Sequence, residues 1–298
     1  MKKILYSFLV LGVLALPMNL QAAPQVKLKF AGSIYTDGSG AALNNPVGVT
    51  VAADRLYIAD SGARRILTFR LKDGKPEFEQ VLPLPGMFPM MVQPAADGGL
   101  YVLDGRERQI VLVGPAGKVK GKFTPKGMPG KQTIVPRSLR KTPDGSLLIL
   151  DIFSGRVLVF DEQGNFLRQI GFPEQKGAFA DVTMDRSGTL YLLDSVKAVV
   201  YSAPAGAEEF AALTPGMEAQ MNFPVSLDTD DRGALVLVDR NGSGLAIVGT
   251  DGSFGGRRLA MGWNDGQLYY PNQVSIGGAG LFIADTQNNR VQHFSLGQ

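Results

Sequence analysis

The sequence predicts an all-β fold, a six-bladed β-propeller of four-stranded blades whose ring is closed by an N-terminal strand. The first observation is a repeat of six short apolar segments that end in aspartate, and they read LYIAD, LYVLD, LLILD, LYLLD, LVLVD and LFIAD. The second is their period, because the aspartates recur every 43 to 47 residues, which accommodates four short strands with turns. The third is that no convincing amphipathic helix pattern follows residue 23.

Turn residues at fixed places in each repeat mark the hairpins. Pairs such as Asp97-Gly98 and Asp144-Gly145 stand before the second strand of a repeat. They tolerate the positive φ angles that tight hairpins need. A polar loop follows the aspartate, and then a third strand such as RILTF or RVLVF. Segments this short and this rich in β-branched residues favour strands over helices.

The two ends of the chain are predicted to meet in the last blade. The sixth repeat ends soon after its third strand and therefore lacks an outer strand. The segment Val26–Ala31 (VKLKFA) precedes the first full repeat and alternates polar with apolar residues. We expect it to supply the missing strand, because a closed ring leaves no exposed sheet edge. One propeller domain is thus predicted over residues 23–298.

Residues 1–22 are predicted to be a secretory signal peptide. Lys2 and Lys3 precede an apolar run from Ile4 to Pro17, and small residues follow, with the cleavage predicted after Ala22. The alternative is an uncleaved anchor, but the run is shorter than the ~20 residues of a spanning helix and contains a proline. The mature chain is therefore expected to be periplasmic or secreted and to have no membrane span.

The charge of the chain argues against a nucleic-acid partner. The 298 residues carry 30 basic and 27 acidic side chains, a formal net charge of +3. Removal of Lys2 and Lys3 with the signal leaves 28 basic against 27 acidic, or +1. RNA binding stays a weak alternative, since electrostatic steering toward phosphates has lost its support.

Two rare residue types limit the chemistry. The chain has no cysteine, which excludes disulfides, thiolate metal sites and cysteine nucleophiles. It has one histidine, His293, in the third strand of the last repeat. A Ser-His-Asp triad would have this one base available, and sites with several histidine ligands are excluded. No catalytic residue is assigned.

Two stretches carry a resemblance to a known family. NPVGVTVAADRLYIADSGARRILTF, and ADTQNNRVQHF preceded by YYPNQVSI, resemble NHL repeats, as expected of an exported bacterial member of that family. Blades 1, 3 and 6 match best, and their aspartate and arginine lie five residues apart: Asp60 and Arg65, Asp151 and Arg156, Asp285 and Arg290. Blade 2 has Gln109 with Arg108 beside it, blade 4 has Val199, and blade 5 has no arginine there. The resemblance implies a six-bladed propeller over about residues 26–298.

The repeated aspartates are interpreted as structural. An aspartate at a strand end accepts backbone N–H groups of the loop that follows, and six copies at one period are better explained so than as six active sites. The six are Asp60, Asp104, Asp151, Asp194, Asp239 and Asp285. The matched arginines are expected to pair with carboxylates of a neighbouring blade.

Binding residues are predicted on the face where the blade links and the loops after the second strands emerge together. The loop Met261–Tyr270 holds the single tryptophan of the chain, and amphipathic rings suit a protein or glycan contact. The alternative is that these rings only wedge between blades. The predicted binding residues are Arg65, Arg108, Arg156, Arg290, Trp263, Tyr269 and Tyr270.

The function predicted from these patterns is an exported, non-catalytic scaffold that displays blade loops to an envelope or extracellular protein, or to a glycan. The alternative is a metal-dependent hydrolase or lyase of the lactonase-like propeller class. Related six-bladed lyases use histidine ligands in the channel, which this chain lacks. No cofactor is predicted. Asp228–Gly233 resembles a calcium-binding run and is the alternative to this, but a hairpin turn explains the run and no bidentate glutamate follows it.

Overall fold

A computed structural model describes residues 25–130, 132–142, 144–173, 177–230 and 232–297. The predicted signal peptide, residues 1–22, lies outside the described residues, and its cleavage stays a prediction. The described chain is all-β and forms six four-stranded antiparallel sheets. In blades 1 to 5 the strands pair in chain order from the centre of the ring outward. The predicted six-bladed propeller is confirmed.

The first three blades hold twelve strands. Blade 1 consists of Pro46–Ala52, Arg55–Asp60, Arg65–Lys72 and Lys75–Pro83. Blade 2 consists of Pro89–Pro94, Leu100–Asp104, Gln109–Val113 and Val119–Lys122. Blade 3 consists of Pro136–Lys141, Leu147–Asp151, Arg156–Phe160 and Phe166–Gly171.

The last three blades follow the same order. Blade 4 consists of Phe179–Met184, Leu190–Asp194, Val199–Ala203 and Ala211–Ala212. Blade 5 consists of Pro224–Thr229, Ala234–Asp239, Gly244–Gly249 and Phe254–Arg258. Blade 6 consists of Gln273–Gly277, Gly280–Asp285, Arg290–Gly297 and the N-terminal Lys27–Ile34.

The ring closes through the two ends of the chain. Lys27–Ile34 pairs antiparallel with Arg290–Gly297, with Lys27 opposite Gly297 and Ile34 opposite Val291. The predicted closure by an N-terminal strand is therefore confirmed, and this strand is longer than the predicted segment. Pairing both ends in one blade hides the edges on which an open ring would aggregate.

The apolar core lies between the blades. Each second strand is buried on both faces, as in Leu147–Asp151, because a neighbouring blade covers each side of its sheet. That packing explains why these strands are apolar throughout and do not alternate. Between blades 5 and 6, Val236 and Ile247 share one cluster with Ile283 and Phe294. Each such side chain stabilises the fold by about 1.5–3 kcal/mol when fully buried.

The ring has two unlike faces. The link face carries the six blade links and the loops after the second strands. The hairpin face carries the turns between first and second strands and between third and outer strands. Two small elements lie on the link face, the parallel pair Ala260–Met261 with Gln267–Leu268 and the 3-10 turn Thr286–Asn288. In the described part of the chain, no helix is both long and apolar enough to cross a membrane.

Candidate functional site in the hairpin-face cavity

The inner strands build two rings of side chains around the channel. Side chains alternate along a strand, so the residues two and four positions after Pro46, and after the equivalent residue of each other blade, both face the axis. In blade 6 the equivalent residue is Pro271, which precedes the strand. The second positions form the buried ring: Gly48, Met91, Ser138, Asp181, Ser226 and Gln273. The fourth positions form the floor ring: Thr50, Gln93, Arg140, Thr183, Asp228 and Ser275.

A cavity of about 1770 Å³ opens on the hairpin face. All six residues of the floor ring line it, whereas the buried ring lies beneath it and is not part of its lining. Every floor residue is polar, which is unusual for the middle of apolar strands. The volume exceeds the ~300–1,000 Å³ of ordinary small-molecule pockets. A ligand entering from the hairpin face would therefore meet hydrogen-bonding groups from all six blades.

Arg140 holds the floor together. Its Nη2 donates to Asp181 Oδ2 at 2.6 Å and to the Leu227 carbonyl at 3.0 Å. Its Nη1 donates to the Val274 carbonyl at 3.4 Å, so one guanidinium joins blades 3, 4, 5 and 6. The Asp181 side chain is fully buried. Since breaking such a pair leaves an uncompensated buried charge, Arg140 is a structural part of the floor as well as part of its surface.

Asp228 lies beside this pair and is open to the cavity. Its carboxylate accepts hydrogen bonds from the Thr183 hydroxyl at 3.2 Å and the Ile276 N–H at 2.8 Å, and it lies 3.9 Å from Arg140 Nη1. Burial raises the pKa of Asp228 above its ordinary value, although Arg140 opposes the shift. Burial alone would lower the pKa of Arg140, but Asp181 and Asp228 raise it above the ordinary value.

The walls of the cavity are close to electrically neutral. Among the described lining residues, five are cationic and six are anionic. Many sit in pairs, such as Arg55 with Glu79 at 2.9 Å on the rim. A balanced lining creates no strong field of one sign, so the cavity suits a neutral or zwitterionic polar ligand better than a highly charged one.

The six repeat aspartates lie on the link face, away from the cavity. Each is buried and accepts a hydrogen bond from the backbone N–H sixteen residues earlier, at the end of the preceding blade link. Several also accept from the loop that follows, as Asp151 does from the Phe153 N–H at 3.1 Å. Each aspartate therefore fastens a blade link to the second strand of its blade. The donors are Asn44, Phe88, Val135, Ala178, Phe223 and Tyr269.

Three of the predicted binding arginines are bound within their own blades. Arg65 and Arg290 each pair with the aspartate five residues earlier at 2.7 Å, and Arg156 does so at 3.3 Å. The register places each arginine directly opposite that aspartate, so the shared partner is in the same blade and not in a neighbouring one as expected. Arg65 also pairs at 2.8 Å with Asp37, in the link that leaves blade 6. Arg290 also donates to the Trp263, Asn264 and Gln267 carbonyls and so fixes the last blade link.

Blades 2, 4 and 5 lack the arginine five residues after the aspartate, and they differ in what lies beside the aspartate carboxylate. In blade 5, Arg257 of the outer strand pairs with Asp239 at 2.6 Å. A search for an arginine five residues after the aspartate does not find this pair. In blade 4, the buried Asp194 Oδ2 has no hydrogen-bond partner among the described residues. In blade 2, Arg108 is exposed in the loop with φ 51°, and no arginine pairs with Asp104 among the described residues.

The aromatic loop is a surface feature. The Trp263 side chain is 71% exposed, so it is not a wedge between blades. Its ring lies 5.6 Å from that of Tyr269, which lies 5.1 Å from that of Tyr270. The structure thus brings the three predicted aromatic residues together, and places them on the face opposite the cavity.

The described residues contain no metal-ligand group of three or more His, Cys, Asp or Glu. The floor does not fit a divalent cation, because the Arg140 guanidinium occupies the space beside Asp181 and Asp228. In the run proposed for calcium, Asp228 faces the channel whereas Asp230 accepts a hydrogen bond from the Ala234 N–H of its own turn.

The single histidine of the chain packs within blade 6. His293 stacks on the Phe282 ring at 4.2 Å, and its Nε2 is 2.8 Å from the Ala279 carbonyl.

The floor ring was not predicted from the sequence, although the sequence contains a pattern that marks it. The last residue of the matching three-residue segment is polar in all six repeats, and the segments read GVT, MVQ, SLR, DVT, SLD and QVS. A position that is always polar between buried apolar residues marks an inward-facing site. The repeated motifs indicated the link face instead, because the same residue types recur there from blade to blade.

Solved structures share this architecture. The chain is similar to an auxiliary nutrient binding protein from Bacteroides thetaiotaomicron, with TM-score 0.66 and 10% identity over 92% of this chain and 78% of that one. It is also similar to virginiamycin B lyase from Staphylococcus aureus, with TM-score 0.56 and 18% identity over 87% and 82%. A catalytically inactive histidine-to-alanine variant of that lyase with quinupristin aligns with TM-score 0.59 and 16% identity over 91% and 89%.

At these identities the likeness establishes the shared fold. No family model and no curated protein sequence matches the chain.

Proposed function

We propose that this protein is an exported, non-catalytic binding propeller of NHL type that holds a polar ligand in its hairpin-face cavity. One observation carries the proposal: six polar side chains, one from each blade, converge on the floor of an open cavity. Their identities differ from blade to blade, so the floor presents hydroxyl, amide, carboxylate and guanidinium groups. Such a pattern is suited to recognising one asymmetric ligand.

The likeness to an auxiliary nutrient binding protein supports a binding role. A stiff ring is also suited to binding, because residues on rigid strands are held in place before the ligand arrives. We also propose that the protein is periplasmic or secreted, and the signal-peptide pattern of residues 1–22 supports this.

The link face would serve a different partner. Trp263 projects from the last blade link with Tyr269 and Tyr270 beside it. Exposed aromatic residues of this kind anchor protein contacts. We propose that an envelope or extracellular protein docks there while the opposite face remains open to the ligand.

Filling the cavity tests the proposed function. Ala95 lines the cavity above the floor, so Ala95→Trp places a large ring in the space a ligand would occupy. A small-molecule extract of the source cells is mixed with protein, and retained compounds are identified by ultrafiltration and mass spectrometry. We expect wild type and the link-face control Ala41→Trp to retain a compound that Ala95→Trp loses. Equal retention by all three, or by none, would refute the cavity as the binding site.

A hydrolase or lyase is the second candidate. Its support is Asp228, a cavity carboxyl whose pKa is raised by burial, since such groups are common at catalytic sites. The fold shared with virginiamycin B lyase adds to it. Because the floor does not fit a divalent cation, the acid–base group would be Asp228 itself. Cleavage of quinupristin by wild type but not by Asp228→Asn, followed by mass spectrometry, would favour this candidate; the binding proposal expects the antibiotic to stay intact.

A further inference from the structure

Blade 1 presents a row of polar side chains toward blade 2. Thr50 lies opposite Tyr57, Tyr57 opposite Thr68, and Thr68 opposite Gln80, so each of its four strands contributes one residue. Residues directly opposite one another share a sheet face. All four line the cavity, which therefore extends outward from the channel as a slot between blades 1 and 2.

Blade 4 has a similar row of Thr183, Tyr191 and Ser202, but neither Tyr191 nor Ser202 lines the cavity. Blade 6 has His293 at the position of Thr68, where it stacks on Phe282.

The remaining three blades have apolar residues at the position of Thr68. The third-strand position of Thr68 is occupied by Leu112 in blade 2, Val159 in blade 3 and Ile247 in blade 5, opposite the residues that correspond to Tyr57. Between those blades, apolar side chains pack directly against each other. A buried threonine at this position weakens the packing between blades and calls for an explanation beyond the fold.

Two adjacent hydroxyls in the slot lack partners. Thr68 is 2% exposed, and its Oγ1 has no hydrogen-bond partner among the described residues. Tyr57 is 8% exposed, and within the described chain its hydroxyl makes no hydrogen bond. Leaving a buried hydroxyl unpaired is unfavourable, and a bound ligand that pairs with it would offset this cost.

The matching tyrosines of two other blades show that partners are usually found. Tyr101 donates to the Glu162 carbonyl at 2.9 Å, and Tyr191 donates to Asp185 Oδ2 at 2.9 Å. Neither lines the cavity. Tyr57 is therefore the member of this set that both faces the cavity and lacks a partner in the described residues.

The opposite wall of the slot is flat and apolar. Blade 2 contributes Gly98, Gly99, Leu100 and Pro115. Gly99 stands where blade 3 has Ser146, so it adds no polar side chain to this wall. The slot thus has hydroxyl and amide groups on one side and hydrocarbon on the other.

We propose that this slot is a subsite for a neutral sugar ring. A pyranose has hydroxyls at its edge, which donate and accept as Thr68, Tyr57 and Gln80 do, and C–H faces that pack on an apolar wall such as Pro115. The charged groups at the slot mouth, Arg55 and Glu79, are paired with each other, so nothing selects a charged ligand. The inference rests on the proposed function, because it names the class of ligand that the cavity holds.

Binding of defined sugars tests the subsite. Glucose, N-acetylglucosamine, maltose and cellobiose are titrated into the mature protein by calorimetry and saturation-transfer NMR. We expect at least one to bind, and Thr68→Val and Tyr57→Phe each to weaken it roughly 5- to 10-fold, the effect of losing one hydrogen bond. Thr68→Val should melt at the same temperature or higher, because it replaces an unpaired hydroxyl by a methyl group of equal size.

Tyr101→Phe is the matched control. It removes a paired hydroxyl outside the cavity, so the melting temperature should fall while sugar affinity stays unchanged. The proposal is overturned if no sugar binds at concentrations on the order of 10 mM, or if neither Thr68→Val nor Tyr57→Phe weakens binding. If sugars fail but Ala95→Trp still displaces another compound from the cavity, the subsite is wrong and the proposed function stands.

Discussion

On the link face the same aspartate recurs in all six blades and is buried each time, whereas the six floor positions facing the hairpin side hold five residue types. The aspartates bind backbone N–H groups of the chain itself and fasten one blade to the next. The floor residues face a cavity. A feature that every blade needs is repeated, while a feature that serves one asymmetric ligand differs between blades. In this propeller the repeated residues hold the fold together, and the residues that vary between blades line the site that we propose for a ligand.

The largest expected effect on stability comes from breaking an aspartate–arginine ion pair of the link face. Arg290→Met leaves Asp285 buried without its cation and frees three link carbonyls, so we expect a loss of about 3–5 kcal/mol in the free energy of unfolding. Arg55→Met on the hairpin rim breaks an ion pair whose arginine is 39% exposed, and should cost under ~1 kcal/mol. Urea denaturation of the two variants and the wild type measures both losses in the free energy of unfolding. Equal losses would mean that the two faces use ion pairs in the same way.

The closed and open ends of the channel should respond differently to an added methyl group. A Cβ at Gly48, in the buried ring, would overlap the Met90 carbonyl oxygen, whereas one at Gly278 on the cavity wall meets nothing within 4 Å. We expect Gly48→Ala to cost about 1–3 kcal/mol and Gly278→Ala to cost little. Thermal unfolding of both variants checks this. A harmless Gly48→Ala would show that the link-face end is not closely packed.

The floor carboxyl should titrate unlike the carboxyls of the surrounding turns. Burial raises the pKa of Asp228, whereas hydrogen bonds from Ser253 lower that of the exposed Asp251. The folded protein thus holds the Asp228 proton more tightly than the unfolded chain does. Its stabilising contribution is complete below the ordinary value of 3.8 and is lost as pH rises through the folded-state pKa. Carbon-13 NMR of the carboxyl groups measures the pKa of Asp228 and that of Asp251. A pKa of Asp228 below the ordinary value of 3.8 would contradict the prediction.

The smallest expected effect on stability is at the aromatic loop. Trp263 is 71% exposed, so Trp263→Ala should change the free energy of unfolding by no more than about 0.5 kcal/mol. It should weaken capture of a partner protein from an envelope extract, while Val196→Ala, another exposed apolar residue of the link face, should not. Lower melting with unchanged capture would make Trp263 a structural residue and remove the link face as a docking surface.

Local sequence was enough to predict the blades. The strands from LYIAD to LFIAD carry their own apolar pattern and turn signals, and the alternating segment near Val26 indicated how the ring closes. The partner of Asp239 could not be predicted, because Arg257 lies eighteen residues away on an outer strand. The cavity was not predicted either: the repeat motifs indicated binding residues on the link face, which stays a prediction, and the cavity opens on the opposite face.

The sequence by itself determined the number of blades, their boundaries and the closure of the ring, because strand period, turn residues and burial are encoded within each repeat of 43 to 47 residues. Only the tertiary structure decided which polar residues meet. Arg140, Asp181 and Asp228 belong to three different blades, and they touch because six inner strands converge on one axis. Likewise the subsite that we propose at Thr68 and Tyr57 depends on blade 2, whose residues line the same cavity. Convergence of residues distant in sequence is a property of the ring and is absent from any single repeat.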